Sequence, residues 1–339
     1  MQIYQVDENN YPNNWNDFVE MFPNGSIYHT REWMNVVRKS FKLKECSLVA
    51  MKNGDIKGLL PLWKTKNSKF INSPWRDRAD LLVTDENTQS KLYKRLEEIR
   101  GNVVLKGWES PTGPDGYERV NYWISSCVDI SYGAEALWTQ IKKRVGRNVR
   151  KAKNSGLIVE RDESETGMKK FYRLFCLTRK RLGVPIYPYF FFDNIRNFLP
   201  SKSIHVYLGK YEGNIVSGLL VLSYAGKAIY AFGGSDFNWQ HLRGNDLVFW
   251  TAIQDAANRG DYVFDFGSDS PQQESLLRFK EKWGAERYNL PTLIKPIGFY
   301  NPDNDDFGAN KYAMYRAILK KFPCFGLIII GYFCTHKKG

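Results

Sequence analysis

Apolar residues recur along the chain with two periods, and the switches between them mark the elements. Gln2 to Val6 alternates as a short strand would. Trp15, Phe18, Val19 and Phe22 have helical spacing, and Pro23-Asn24-Gly25 ends that run. Thr30 is placed to cap a second helix carrying Trp33, Val36 and Val37. Strands are expected over Cys46–Met51, Ile56–Trp63 and Lys69–Ile71, with Asn53-Gly54 as a hairpin turn. Gln89–Ile99 reads as a helix with Leu92, Leu96 and Ile99 on one face. Val103–Leu105 reads as a buried strand, Pro111–Gly116 as a loop and Tyr122–Ile130 as another strand.

The second half repeats this order. A strand (Leu157–Glu160) precedes a helix (Glu165–Leu182) with Met168, Phe171, Tyr172, Phe175 and Cys176 inward, then a shorter helix (Phe190–Phe198). Strands follow over Ser203–Lys210, Ile215–Ser223 and Ala228–Phe232. Then come a helix (Asn245–Asn258, closed by Gly260), a strand (Tyr262–Phe266), a helix (Gln273–Glu281) and a strand (Leu290–Lys295). Gly54-Asp-Ile-Lys-Gly58-Leu-Leu-Pro-Leu62 is similar to Gly213-Asn-Ile-Val-Ser-Gly218-Leu-Leu-Val-Leu222, with one inserted residue. The shared order and letters together point to a duplication. At 339 residues two domains are expected, 1–132 and 133–300, followed by a tail over 301–339.

Between the halves, Leu137, Ile141, Val145 and Val149 recur every fourth residue, which predicts one amphipathic helix over 137–153. Its other face carries Lys142, Lys143, Arg144, Arg147, Arg150, Lys151 and Lys153 and no acid. Solvated helical faces usually mix signs to gain i,i+4 pairs, so an unmixed face favours an anion over plain solvent. In the tail, Lys311–Lys321 reads as a further helix. Phe322–Phe333 is strongly apolar and flanked by Lys320-Lys321 and Lys337-Lys338. Twelve residues cannot span a bilayer as a helix, which takes about 20. The segment either covers a domain or docks on an anionic membrane surface across 322–338.

Composition narrows the class. Apolar residues at 43% and aromatics at 15% argue against disorder, and a formal charge of +13 favours an anionic partner: phosphate, nucleic acid or an anionic membrane face. Five cysteines are scattered without a C-x-x-C pair, and four histidines stand far apart, so neither a disulfide framework nor a metal site is expected. The polar, acidic start does not read as a signal peptide, and the expected compartment is cytoplasmic.

The chemistry is expected around Tyr262–Gly284. A short apolar strand ends in Asp265-Phe266-Gly267-Ser268, and a helix then delivers Phe279-Lys280 just before Trp283-Gly284. Polar groups at a strand's C-terminal end, opening into a helix, commonly build a site in α/β domains. Asp265 either accepts a proton or caps the turn that follows it. Asp265-Phe-Gly267 is not a kinase signature, because an H-R-D loop and a Gly-rich loop with a strand lysine are both missing from the sequence.

The element order resembles that of the GNAT acyltransferase fold, in tandem: two α/β (α+β) domains, each a mixed, mostly antiparallel sheet flanked by helices. Three further matches resemble the FemAB-like family. They are the basic helix Trp138–Gly156; Tyr230-Ala-Phe-Gly-Gly-Ser235 followed by Asn245 and Trp250; and Asp265-Phe-Gly-Ser268 through Phe279-Lys280 to Trp283-Gly284. Ile27-Tyr-His-Thr-Arg-Glu-Trp33 is similar to that family's N-terminal helix start. The resemblance covers about residues 25–295 and implies transfer of an acyl or aminoacyl group onto an amine. The long helical arm of some cell-wall members is missing, which weakens the transfer of their tRNA donor to this chain.

Aminolysis of an ester or thioester requires an amine to lose its proton and an oxyanion to be stabilised. The resemblance assigns Lys280 to the developing oxyanion or to a precursor phosphate; Asp265, at a strand end, is the second catalytic candidate, placed to accept the amine's proton or orient it unless it caps the following turn. Arg147, Arg150 and Lys151 suit phosphate oxygens. Tyr187, Ser268 and Asn245 complete the expected substrate contacts, Tyr187 within an aromatic loop that equally suits packing. An acyl-CoA enzyme of the GNAT type would present a pyrophosphate loop near Gln240–Asp246; Gly244 is present, but Asp246 is unfavourable for phosphate. No bound cofactor is expected. The donor is aminoacyl-tRNA or acyl-CoA, and the acceptor a phosphate-bearing cell-envelope precursor or saccharide. Two alternatives remain open: acyl-CoA-dependent acylation of an amino sugar or lipid, and a non-catalytic polyanion- or RNA-binding module. One site, in the second half, is expected.

Overall fold

The computed structural model describes residues 1–41, 43–74, 78–141, 143–304, 306 and 308–337. The chain forms two compact units. One comprises Met1–Ile124, Asn289–Asp306 and Thr335–Gly339; the other comprises Ser125–Tyr288 and Phe307–Cys334. This differs from the division expected at 132 and 300, because strands run through both boundaries. Glu118–Asp129 continues past Ile124, and Glu286–Lys295 leaves the second unit at Asn289 and pairs Thr292–Lys295 with Val103–Lys106 inside the first.

In the first unit an antiparallel sheet runs Gln2–Val6, Ser47–Lys52, Asp55–Leu60, Leu82–Val83. The helix Glu86–Glu97 starts where the Asp85 carboxylate accepts the Thr88 amide at 2.8 Å. Its Leu92 and Leu96 enter a core with Leu48, Ala50 and Leu60. Gly58 is required beneath it, since a Cβ there would lie 2.7 Å from Leu92.

Among the described residues, five strands lie wholly within the second unit: β1 (Ile158–Arg161), β2 (Ile204–Tyr211), β3 (Asn214–Tyr224), β4 (Lys227–Ser235) and β5 (Val263–Asp269). The first four pair antiparallel in order, and β5 lies parallel to β4. Its helices are α1 (Gly133–Gln140), α2 (Lys143–Asn154), α3 (Glu165–Leu182), α4 (Tyr189–Phe198), α5 (Gly244–Asn258), α6 (Glu274–Glu281), α7 (Ala313–Leu319) and α8 (Cys324–Lys337). Neighbouring β3 residues show that α3 and α5 cover opposite faces. A Cβ on Gly218 would meet Leu174 and Phe171 of α3, while the Ser217 hydroxyl lies under Gly244 of α5.

The two β-hairpins bear out the repeat and correct its alignment. Asn53-Gly54 and Glu212-Gly213 both take left-handed turns (φ 54° and 88°; 46° and 77°). Both hairpins bulge at the same place: Met51 pairs Ile56 and Ala50 pairs Gly58, while Lys210 pairs Ile215 and Gly209 pairs Ser217. By register Gly58 therefore matches Ser217 without an insertion, not Gly218.

The helix expected over 137–153 is broken. Ile141 is extended (ψ 146°) between α1 and α2. An apolar residue every fourth position drifts by about 40° per step around an α-helix. A straight helix would turn Val149 away from the surface that Leu137 meets. The break resets the phase, so Leu137, Ile141, Val145 and Val149 all reach the core that α5 shares, with the Trp138 ring centred 4.4 Å from that of Trp250 and tilted against it.

Candidate active site

Parallel pairing of β4 with β5 covers only Lys227–Ile229 against Val263–Asp265, although the strands run on to Ser235 and Asp269. Beyond Ile229 each departs for a local reason. Register against β3 jumps from Val221–Tyr230 to Leu220–Phe232, which bulges Ala231 out of β4. On β5, Gly267 takes φ 73°, a conformation glycine adopts freely, and the Asp265 carboxylate accepts the Gly267 amide at 2.7 Å. Of the two roles expected for Asp265, capping its own turn is thus the one seen.

Lys280 and Asp269 meet along the β5 arm of this fork. The strand is longer than the sequence pattern suggested, so Asp265 and Ser268 sit within β5, half-buried, and Asp269 closes it, buried. Lys280 turns inward from α6 beside Leu277, while Phe279 packs on Phe249. The Lys280 ammonium donates to the Gly267 carbonyl at 2.9 Å and forms an ion pair with Asp269, the two side chains being 4% and 6% exposed. A buried ammonium is tolerated only when paired; the Gly267 carbonyl takes one of its protons and the Asp269 carboxylate supplies the opposite charge. Tyr230, facing α5 through Phe249 at 5.0 Å, has its phenol pKa raised by burial, with the Asp269 charge adding to the effect.

The basic helix meets the start of α5. Asn148 donates to Asp246 at 3.3 Å, and burial raises the pKa of that carboxyl, the Asn148 bond opposing the shift. Asn245, exposed in the first turn of α5, donates to the Ser235 hydroxyl at 3.4 Å and so ties α5 to the far end of β4. Arg147, Arg150 and Lys151 are exposed, and among the described residues none has an ion-pair partner. Lys142 lies outside the described residues. Tyr187 is elsewhere: its ring lies 6.2 Å from Phe232 and 6.3 Å from Phe175, within the aromatic layer under α3, on the sheet face away from Tyr230.

The fork thus unites Lys280, Asp265 and Ser268, while Asn245 and the basic face gather near the start of α5. The partnership of Asp269 with Lys280 and the place of Tyr230 escaped sequence reasoning. Its usable signal was Asp269 itself, an acid closing an apolar strand whose alternation resumes after the glycine. Among the described residues no cluster of His, Cys, Asp and Glu is arranged to hold a metal ion.

The strand fork, with α5 starting beside it, lies on a mixed sheet with helices on both faces. Residues 139–288, within the second unit, match the acetyltransferase (GNAT) domain, which supports an acyltransferase. The FemAB-like, tandem-GNAT architecture is found in solved structures as well. The crystal structure of FemX is 16% identical over 86% of this chain and 97% of its own, with a TM-score of 0.70. The C-terminal domain (DUF2156) of a putative lysylphosphatidylglycerol synthetase from Agrobacterium fabrum is 14% identical over 90% and 94%, with a TM-score of 0.56. A tandem GNAT protein from the clavulanic acid biosynthesis pathway is 8% identical over 88% and 99%, with a TM-score of 0.54. At such identities the likeness is one of fold. No curated protein matches the sequence.

Proposed function

We propose that this protein transfers an aminoacyl or acyl group to an amine of an anionic, phosphate-bearing component of the cell envelope. The observation that carries this reading is the buried Lys280–Asp269 pair at the fork of an acyltransferase sheet. The acceptor amine adds to the donor's ester or thioester carbonyl, giving a tetrahedral oxyanion. Loss of the amine proton and departure of the donor's oxygen or sulfur then leave an amide. A proton of Lys280 not given to the Gly267 carbonyl serves that oxyanion or a substrate phosphate. Asp269 keeps the ammonium aimed, Asp265 fixes the Gly267 carbonyl that holds it, and Ser268 lines the fork.

Arg147, Arg150 and Lys151 receive the acceptor's phosphate, with Asn245 in the first turn of α5, while Tyr187 is left to packing in the aromatic layer under α3. The names of the solved relatives, FemX and a lysylphosphatidylglycerol synthetase, accord with a cell-envelope acceptor and an aminoacyl donor such as aminoacyl-tRNA. The GNAT domain match favours acyl-CoA as the second reading. Asp246 in the first turn of α5 weighs against a pyrophosphate there, because a helix N-terminus already faced by a carboxylate is a poorer anion site. Five free thiols accord with a reducing cytoplasm. Incubation with charged tRNA and, separately, with acyl-CoA tests the proposal. Deacylation of one that depends on an added amine acceptor supports it, and deacylation of neither refutes it.

A further inference from the structure

The helices α7 and α8 present apolar side chains to solvent. On α7, Met314, Tyr315 and Ile318 are exposed; on α8, Phe325 is 72% and Phe333 55% exposed, with Ile329 and Tyr332 between them and Phe322 just before. These α8 positions follow i, i+4, i+7, i+8 and form one face. The opposite face is used: Leu327 is fully buried, its carbonyl accepts the Ile186 amide at 3.1 Å, and a Cβ on Gly331 would lie 1.8 Å from the Ile186 carbonyl oxygen. So α8 is apolar on all sides but packs along one stripe. A continuous exposed apolar face of this kind marks a binding surface.

Charge identifies what it binds. Residues 308–339 contain Lys311, Arg316, Lys320, Lys321, Lys337 and Lys338 and no Asp or Glu. Lys311, Lys320 and Lys321 are exposed. A two-fold contact between copies would set this cationic segment against itself with no acid to answer it. A bilayer with anionic headgroups answers both features, taking aromatic side chains below the headgroups and lysines among them. No helix among the described residues is long and apolar enough to cross a membrane, so the contact is a surface one. We propose that α7 and α8 dock the protein on an anionic lipid bilayer. The docking stands apart from the transferase reading, because every residue it uses lies outside the strand fork.

The test is flotation of the full chain with phosphatidylcholine vesicles and with vesicles containing phosphatidylglycerol. The wild type is expected to float with the anionic vesicles, and less so as salt rises. Each lysine near the surface is worth about fivefold in partitioning, so Lys320→Glu with Lys321→Glu should lower it by at least about 25-fold. Phe325→Glu with Phe333→Glu should abolish it, while circular dichroism stays unchanged because both side chains face solvent. Arg147→Glu with Arg150→Glu should leave flotation intact. The proposal is overturned if the wild type does not float, if the phenylalanine variant floats undiminished, or if sedimentation shows a dimer that this variant dissociates while vesicles capture neither.

Discussion

Replacing Lys280 by methionine separates catalysis from folding at the strand fork. The change removes the ammonium and leaves the Asp269 carboxylate almost fully buried. Breaking a buried pair from one side costs about 3–5 kcal/mol. The folded variant has one escape, which is to bind a proton on Asp269. For a carboxyl that ionises near ~3.9 when unfolded, that costs about 4 kcal/mol at pH 7 and about 1.5 kcal/mol at pH 5. Lys280→Met should therefore lower stability by about 3–4 kcal/mol at pH 7 and by much less at pH 5, read as urea midpoints at the two pH values. Lys280→Met with Asp269→Asn removes both charges and should recover most of that stability. It should not recover activity. With no ammonium to meet the oxyanion, transfer stays about 100- to 1,000-fold down in a folded protein, measured as amide product from the preferred donor. Activity restored along with stability would make the pair structural and refute the assigned role, and a loss of stability independent of pH would refute the buried-charge reasoning.

Arg147→Glu with Arg150→Glu should raise the acceptor KM at least tenfold and shift the urea midpoint little, since both side chains are solvated; an unaltered KM removes them from the site. Burial, with Arg259 and Arg161 adding repulsion, lowers the His205 imidazole to about 3. Unfolded, it titrates near ~6.5, so only the unfolded chain binds that proton between these values, and stability falls as pH drops through the window by up to about 1.4 kcal/mol per unit. His205→Gln should flatten that slope between pH 6.5 and 4.5, and an unchanged slope would contradict it. Gly331→Leu forces a side chain into the Ile186 backbone and should detach α8, seen as faster proteolysis within 320–337; protection equal to wild type would disprove the contact.

Element order was readable because local signals agreed with the fold. Ser164 accepts the Gly167 amide at the start of α3 and Gly183 closes it in the left-handed region (φ 69°), so its bounds were found to the residue. Failures came where tertiary packing outweighs local pattern. The phase reset at Ile141 is set by the surface of α5, which four apolar positions in a row cannot report. The strand holding Asp265 was cut short because Gly267 and Ser268 read as a turn, whereas the flanking Phe266 and Asp269 are buried and keep the chain in the sheet. Lys280 was legible as a motif residue, but its burial was not. A lysine on an amphipathic helix ordinarily points outward, and only an acid brought in by another element reverses that.

The strand Glu286–Lys295 sets the order in which the chain can fold. Val103–Lys106 takes Thr292–Lys295 as its antiparallel neighbour, and Leu293 fills the same core as Leu105 and Trp108. A ribosome has therefore made nearly all of the second unit before the first can close its sheet. Until then Val103–Lys106 has an open edge, and its pairing joins residues far apart in sequence, which is slow to form. A fragment ending at Ile124 would expose that edge, so the N-terminal unit completes its sheet only once Glu286–Lys295 has been synthesised.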